Sequence, residues 1–276
     1  MAMDLSHEGL LVASIKRLYD RRQSSSCDVS FLVGGRIFHA HRLILAAQSE
    51  YFEKLLDTKT SFQESNTKNS ISLPDKDAEA FESVLEYLYS GYLSISNKNI
   101  QTNVQILQMA HEFQMSALFE SIGEQLANNL TASNVLYIYF EAATLYLLPK
   151  LQRACLNFVC NHTTEIIEGE EFYQLPSQCM AQVVSWEELG VPEWDILLAV
   201  CKWATENEDE LTKQEIAQVF QNIRFGLLSD IDASFVDLEP VYSLIAYSGV
   251  KLRDINNPKW AEPRVIGRDH FFDYIN

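Results

Sequence analysis

The chain has 276 residues, against roughly 150 for one typical domain, and its apolar fraction of 47% is that of an ordinary globular protein, so about two domains with real cores are expected. Its formal charge of −17 would repel a phosphate backbone over most of the surface, which excludes nucleic acid as a direct partner. The five cysteines, Cys27, Cys155, Cys160, Cys179 and Cys201, are odd in number and lack paired short spacings, which argues against a disulfide framework and a zinc knuckle and for a reducing interior.

Residues 1–9 carry Asp4, His7 and Glu8 where a signal peptide needs a basic start and an apolar run, and no run of about 18 apolar residues follows. The expectation is therefore a cytoplasmic protein, with the nucleus also open to it, and no membrane contact. Across residues 9–23, Leu11, Ile15, Leu18 and Arg22 share one helical face. After Ser24-Ser25-Ser26, two β-prone runs, 27–33 and 36–41, flank Gly34-Gly35 and read as a hairpin, because glycine reaches the positive φ of a tight turn without steric cost. One helix is expected over 42–56. The stretch 57–70 is polar with a single aromatic, Phe62, and a short strand, 71–73, precedes Pro74. Asp77 then reads as the N-cap of a helix with the stripe Phe81, Val84, Leu85, Leu88 and Tyr89, closed by Gly91. Further helices cover 104–130.

Beyond Leu130 only helical stripes are visible: Val135, Ile138, Tyr139, Ala142; Leu151, Ala154, Cys155, Phe158, Val159; Ile196, Leu197, Val200, Cys201, Ala204; and Ile216, Val219, Phe220. Breaks at Leu148-Pro149 and Gly190-Val191-Pro192 imply antiparallel helix pairs. An α+β domain over 1–127 and an all-α domain over 128–255 follow, with 256–276, which holds Pro258 and Pro263, as a linker or the start of a further module. No repeat of 40 to 50 residues appears, so no repeat propeller is expected here. The acidic clusters Glu165, Glu168, Glu170, Glu171 and Glu206, Glu208, Asp209, Glu210 read as solvated helix ends and turns.

Several segments together resemble the BTB, or POZ, domain: Cys27-Asp28-Val29, then Ile37-Phe38-His39-Ala40-His41-Arg42, then Leu45-Ala46-Ala47-Gln48-Ser49-Glu50-Tyr51-Phe52. Phe81-Glu82-Ser83-Val84-Leu85-Glu86-Tyr87-Leu88-Tyr89-Ser90-Gly91 and Leu107-Gln108-Met109-Ala110-His111-Glu112-Phe113 continue the likeness. Phe140-Glu141-Ala142-Ala143, Glu170-Glu171-Phe172-Tyr173-Gln174-Leu175-Pro176 and Val200-Cys201-Lys202-Trp203 resemble the BACK domain that follows BTB in cullin-3 adaptors. The subgroup with discoidin-like modules further along is the most similar. The resemblance implies a BTB/POZ domain followed by a helical BACK domain. Its function would be that of a substrate adaptor of a cullin-3 RING ubiquitin ligase, a homodimer with an unidentified protein substrate. The other reading is a BTB-BACK scaffold that acts only by homo- or hetero-oligomerisation.

By the same resemblance, the leading helix dimerises through Leu11, Ile15 and Leu18, unless that face covers the domain's own core. Asp28 and Arg42 match a charged pair under the dimer interface; the alternative is an ion pair within one subunit, and if both are buried each needs an opposite charge nearby. Phe62-Gln63-Glu64 matches the apolar-x-Glu pattern of cullin-3 binders, an aromatic anchor with a carboxylate beside it. Phe62 could instead fold back on its own domain. Tyr51, Phe52 and Phe113 would complete the cullin-binding surface or else belong to the core.

No metal or cofactor is expected. His39 and His41 alternate on one strand face but have no third ligand nearby, and Cys155, near Cys160 and His162, belongs to an apolar stripe. No nucleophile elbow, phosphate loop or dinucleotide fingerprint is present, so the chain reads as a non-enzyme. Thiol chemistry at Cys27 or Cys179 would require a thiolate far more reactive than a free thiol.

Overall fold

The structure, a computed structural model, describes residues 8–21, 26–57, 70–95 and 98–227; the side chains of Glu8, Leu10 and Leu11 lie outside that description. Contacts divide the chain into two units, Met1–Asn128 and Asn129–Asn276. No described helix is long and apolar enough to cross a membrane.

The first unit begins with α1 (Glu8–Asp20), followed by β1 (Val29–Val33) and β2 (Arg36–Ala40). These strands pair antiparallel with Val33 opposite Arg36, leaving Gly34 and Gly35 as a two-residue loop with φ of 53° and 77°. Two positive φ values make this the turn whose twist matches the hairpin. A third strand, β3 (Ser70–Leu73), runs parallel to β1, giving the order β2-β1-β3. Alternation along β1 and β2 turns Phe31, Val33, Phe38 and Ala40 inward.

Against them packs Phe81 of α4 (Ala78–Ser90), 5.4 Å from the rings of Phe31 and Phe38. Asp77 caps α4 by accepting the Ala80 N–H at 2.8 Å, and Gly91, at φ 68°, ends it in the left-handed conformation. The helices α5 (Ile100–Glu112) and α6 (Ser116–Asn128) stack onto α4 in turn. Phe31, Phe52, Phe81 and Phe113 are fully buried, and each such side chain stabilises the fold by about 1.5–3 kcal/mol relative to exposure.

The single helix expected over 42–56 is two, α2 (Arg42–Gln48) and α3 (Glu50–Leu56). Ser49 separates them because its backbone is extended, at φ −151° and ψ 123°, while its Oγ accepts the Phe52 N–H at 3.3 Å. The apolar stripe runs through the break, so periodicity alone could not reveal it.

Among its described residues the second unit has no strand. It comprises α7 (Val135–Ile138), a π-helical turn (Tyr139–Thr144), α8 (Pro149–Glu168), α9 (Glu170–Tyr173), α10 (Ser177–Ser185), α11 (Glu193–Glu206), α12 (Lys213–Phe220) and a 3-10 turn (Phe225–Leu227). Pro149 sits in the first turn of α8, where its missing N–H costs nothing. Pro192 immediately precedes α11. Thr212 and Glu215 form a reciprocal capping box on α12. A glycine is required at position 190, where a Cβ would lie 2.6 Å from the Cys160 carbonyl oxygen. The residues of both acidic clusters are exposed. The expected linker 256–276 lies outside the described residues.

Candidate docking surface

The aromatic core of the first unit reaches the surface at Tyr51. Ser49 sets this up by two bonds of its hydroxyl: it accepts the Phe52 N–H and donates to the Phe113 carbonyl at 2.6 Å, tying the start of α3 to the end of α5. The turn after Phe113 is held by the Met115 N–H donating to the Ala110 carbonyl at 2.8 Å, with Gln114 left-handed at φ 57°. On this frame Phe52 points inward and Tyr51, one residue earlier, lies half-buried at the rim. The Tyr51 ring is 4.8 Å from that of Phe113 and tilted by 30°, and Phe52 is 5.0 Å from Phe113 on the other side.

An ion pair between Lys76 and Glu112 flanks the tyrosine. Partial burial raises the Tyr51 phenol above its ordinary value, the Glu112 carboxylate raises it further, and Lys76 opposes both. The hydroxyl is therefore neutral at physiological pH and available as a donor. A supported ring with a polar tip, beside a charged pair, is the composition of a protein-binding anchor.

The sequence-predicted residues separate here into three groups. Tyr51 is placed on the surface. Phe52 and Phe113 are corrected: both have zero exposure, so their rings belong to the core and support Tyr51 from beneath instead of touching a partner. Phe62 and Glu64 lie outside the described residues; the flanking described positions are Asp57, just after α3, and Ser70, the first residue of β3. Sequence reading missed Ser49 and the Lys76–Glu112 pair. The serine carried a signal, since Ser-Glu before an apolar group is a helix start.

A second surface is formed by α1. The helix packs on α4 through Tyr19, which is buried, donates its hydroxyl proton to the Glu82 carbonyl at 3.4 Å and lies 5.5 Å from the Tyr89 ring. Ile15 is half-buried. Val12 and Leu18 stay 45% and 40% exposed, so part of the helix's apolar surface is left uncovered by the described residues of its own unit. The Leu11 side chain lies outside the description.

Asp28 and Arg42, expected as a charged pair, are joined within one subunit. Asp28 is exposed and Arg42 half-buried. Their link runs through the main chain: the Arg42 N–H donates to Asp28 Oδ1 at 2.8 Å, and the guanidinium donates to the carbonyls of Asp28 at 3.3 Å and Leu56 at 3.1 Å. Asp28 thus places a carboxylate at the first turn of α2, where anions are favoured.

In the second unit, the turn between the π-helical segment and α8 leaves Leu145 and Leu147 largely exposed. Leu147 has φ 51°, a region a leucine rarely enters, and such outliers concentrate at functional sites. Sequence reading missed this feature because a π turn keeps the apolar stripe of an α-helix.

The imidazoles and thiols are engaged elsewhere. His39 lies 2.8 Å from the Ser30 hydroxyl, and His41 makes a part-buried hydrogen bond with Tyr89. Burial pushes the Cys155 and Cys201 thiols up to about 12, which leaves them inert. Among the described residues no group of three or more His, Cys, Asp or Glu side chains is placed to hold a metal ion.

Comparison with known proteins matches residues 18–130 to the BTB/POZ domain and residues 135–234 to the family described as BTB And C-terminal Kelch. BTB/POZ domain-containing protein 9 of Homo sapiens is 34% identical over 202 residues, 73% of this chain and 32% of that protein. Kelch-like protein 40 of Xenopus laevis is 30% identical over 225 residues, 81% of this chain and 35% of that protein, and Kelch-like protein 11 of Homo sapiens is 32% identical over 213, 75% and 29%. The chain spans about a third of the length of these relatives.

Proposed function

Because the chain belongs to the BTB-BACK proteins, an α+β BTB/POZ domain followed by a helical BACK domain, we propose that it is a substrate adaptor of a cullin-3 RING ubiquitin ligase. In this reading the BTB domain binds cullin-3 through Tyr51 and the Phe62-Gln63-Glu64 segment, and the first BACK helices add contacts. The observation that carries it is Tyr51, an aromatic ring half-exposed over a rigid Phe113–Phe52 base and bordered by a charged pair. Phe62 would supply a second ring and Glu64 a carboxylate for nearby donors.

Self-association through the uncovered apolar surface of α1, Val12 and Leu18 with Ile15, would present two ligase arms. Paired arms raise avidity through a high effective concentration for the second contact. The chain itself performs no catalytic step in this scheme, needs no metal or cofactor, and works in the cytoplasm, with the nucleus also open to it. Its substrate is an unidentified protein.

The test is a pull-down with the amino-terminal part of cullin-3, coupled to a mass measurement. The parent chain should bind cullin-3 as a dimer, and the Phe62→Ala, Glu64→Ala double variant should remain dimeric but lose cullin-3. A parent chain that dimerises without binding micromolar cullin-3 would instead be a scaffold acting by oligomerisation alone.

A further inference from the structure

Cys27 stands just before β1, half-buried, with its Sγ 3.9 Å from Nε2 of His41. The other ring nitrogen of His41, Nδ1, is 2.8 Å from the Tyr89 hydroxyl, and that hydroxyl oxygen also accepts the His41 backbone N–H at 2.8 Å. Tyr89 is buried in α4, so the group that orients the imidazole sits on a rigid element. Thiol, imidazole and phenol therefore stand in the order of nucleophile, base and orienting group.

The hydrogen-bonding capacities are compatible with that role. A phenol oxygen has two lone pairs, so Tyr89 can accept both the backbone N–H and an Nδ1–H. With Nδ1–H donated to Tyr89, Nε2 of His41 is the acceptor that faces the sulfur. Ser26 Oγ, 3.4 Å from the same Nε2, is the competing partner. The other thiols differ: Cys155 and Cys201 are buried, and Cys179 is made less acidic by burial and by Glu141. Cys160 is half-buried like Cys27 and serves as the comparison.

We propose that Cys27 is a modification site, a reactive thiol that takes soft alkylating electrophiles with His41 as its base. The S–H proton passes to Nε2 of His41 and the sulfur electron pair forms an S–C bond. With iodoacetamide the C–I bond breaks, iodide leaves with its electron pair, and the imidazolium returns its proton to water. Nothing is oxidised or reduced. Tyr89 acts through His41 and is a positioning residue.

The experiment treats the full chain briefly with iodoacetamide at neutral pH and reads the labelling rate at each cysteine by peptide mass spectrometry. Cys27 is expected to react about tenfold faster than Cys160, because a base beside the sulfur takes its proton as the S–C bond forms. His41→Gln should remove that advantage, and Ser26→Ala should keep it. Tyr89→Phe should slow Cys27 while leaving Cys160 unchanged, whereas mere loosening of the fold would expose the sulfur and speed it. Amide hydrogen exchange across α4 (Ala78–Ser90), in the same unit, reports whether a variant is folded; should His41→Gln lose that protection, the Tyr89→Phe arm decides. Labelling of Cys160 or Cys179 ahead of Cys27, or a folded His41→Gln chain with an unchanged Cys27 rate, overturns the proposal.

Discussion

The helices α3 and α1 carry apolar groups of similar appearance, yet they use them in opposite directions. In α3 the ring of Phe52 is sealed, packed 5.8 Å from Phe31 and 5.0 Å from Phe113, and of its two rings only that of Tyr51 reaches solvent, with Leu55 39% exposed beyond it. Among the described side chains of α1 only Tyr19 is sealed, while Val12 and Leu18 face out. Identity of side chain is thus a poor guide to docking; what separates an anchor from a core residue is the element packed behind it. A short helix such as α1 draws its stability from tertiary contacts, and here Tyr19 on α4 provides them.

The largest effect that would sharpen this contrast is on Phe52. Replacing it with alanine should lower stability by about 3–5 kcal/mol in a urea titration, since the cavity is enclosed by rings that cannot collapse. A loss under about 1 kcal/mol would mean that the interior side of α3 is not interior. Ser49→Ala comes next. It removes a helix cap and leaves the buried Phe113 carbonyl without its donor, so a loss of roughly 1–2 kcal/mol is expected, together with weaker protection of the Gln114 turn in hydrogen exchange.

Leu18→Glu should change stability of the isolated subunit by no more than about 0.5 kcal/mol, because its side chain is already 40% exposed. On the proposed self-association through α1, light scattering should show the same variant moved from dimer to monomer. Unfolding in its place would show that α1 has no outer face to offer.

The smallest effect concerns Tyr51. Its folded pKa lies above the ordinary 10.0, so the unfolded phenol ionises first as pH rises. The Tyr51 contribution is therefore intact below about pH 10 and is lost as pH climbs toward the folded value. Tyr51→Phe should leave stability at neutral pH nearly unchanged and flatten the alkaline part of a stability-against-pH curve. An unaltered alkaline slope would contradict the burial assigned to the ring's rim position.

Much of the architecture was legible because it rests on local chemistry. Gly34-Gly35 between two β-prone runs, Asp77 three residues before Ala80, Gly91 after the α4 stripe, and Pro149 and Pro192 before helices all act within a few residues of themselves. The break at Ser49 was legible only in part, since the capping signal was present but the apolar stripe masked it. The π turn before Leu145 gave no signal. Of the docking surface, Tyr51 was named but could not be told from Phe52 or Phe113, as all three are aromatic and lie at helical spacings.

The amino-acid order alone determined the strands and most helices of the first unit, the starts or stops of several helices, and that a small mixed unit precedes a helical one, because propensity, capping and turn geometry act over a few residues. Only the tertiary structure decided which aromatic ring stays outside, that Asp28 meets Arg42 through the main chain, and that a thiol, an imidazole and a phenol from positions 27, 41 and 89 stand in line. Those outcomes depend on elements distant in sequence arriving at the same place. Burial is a property of what arrives, and no single segment carries that information.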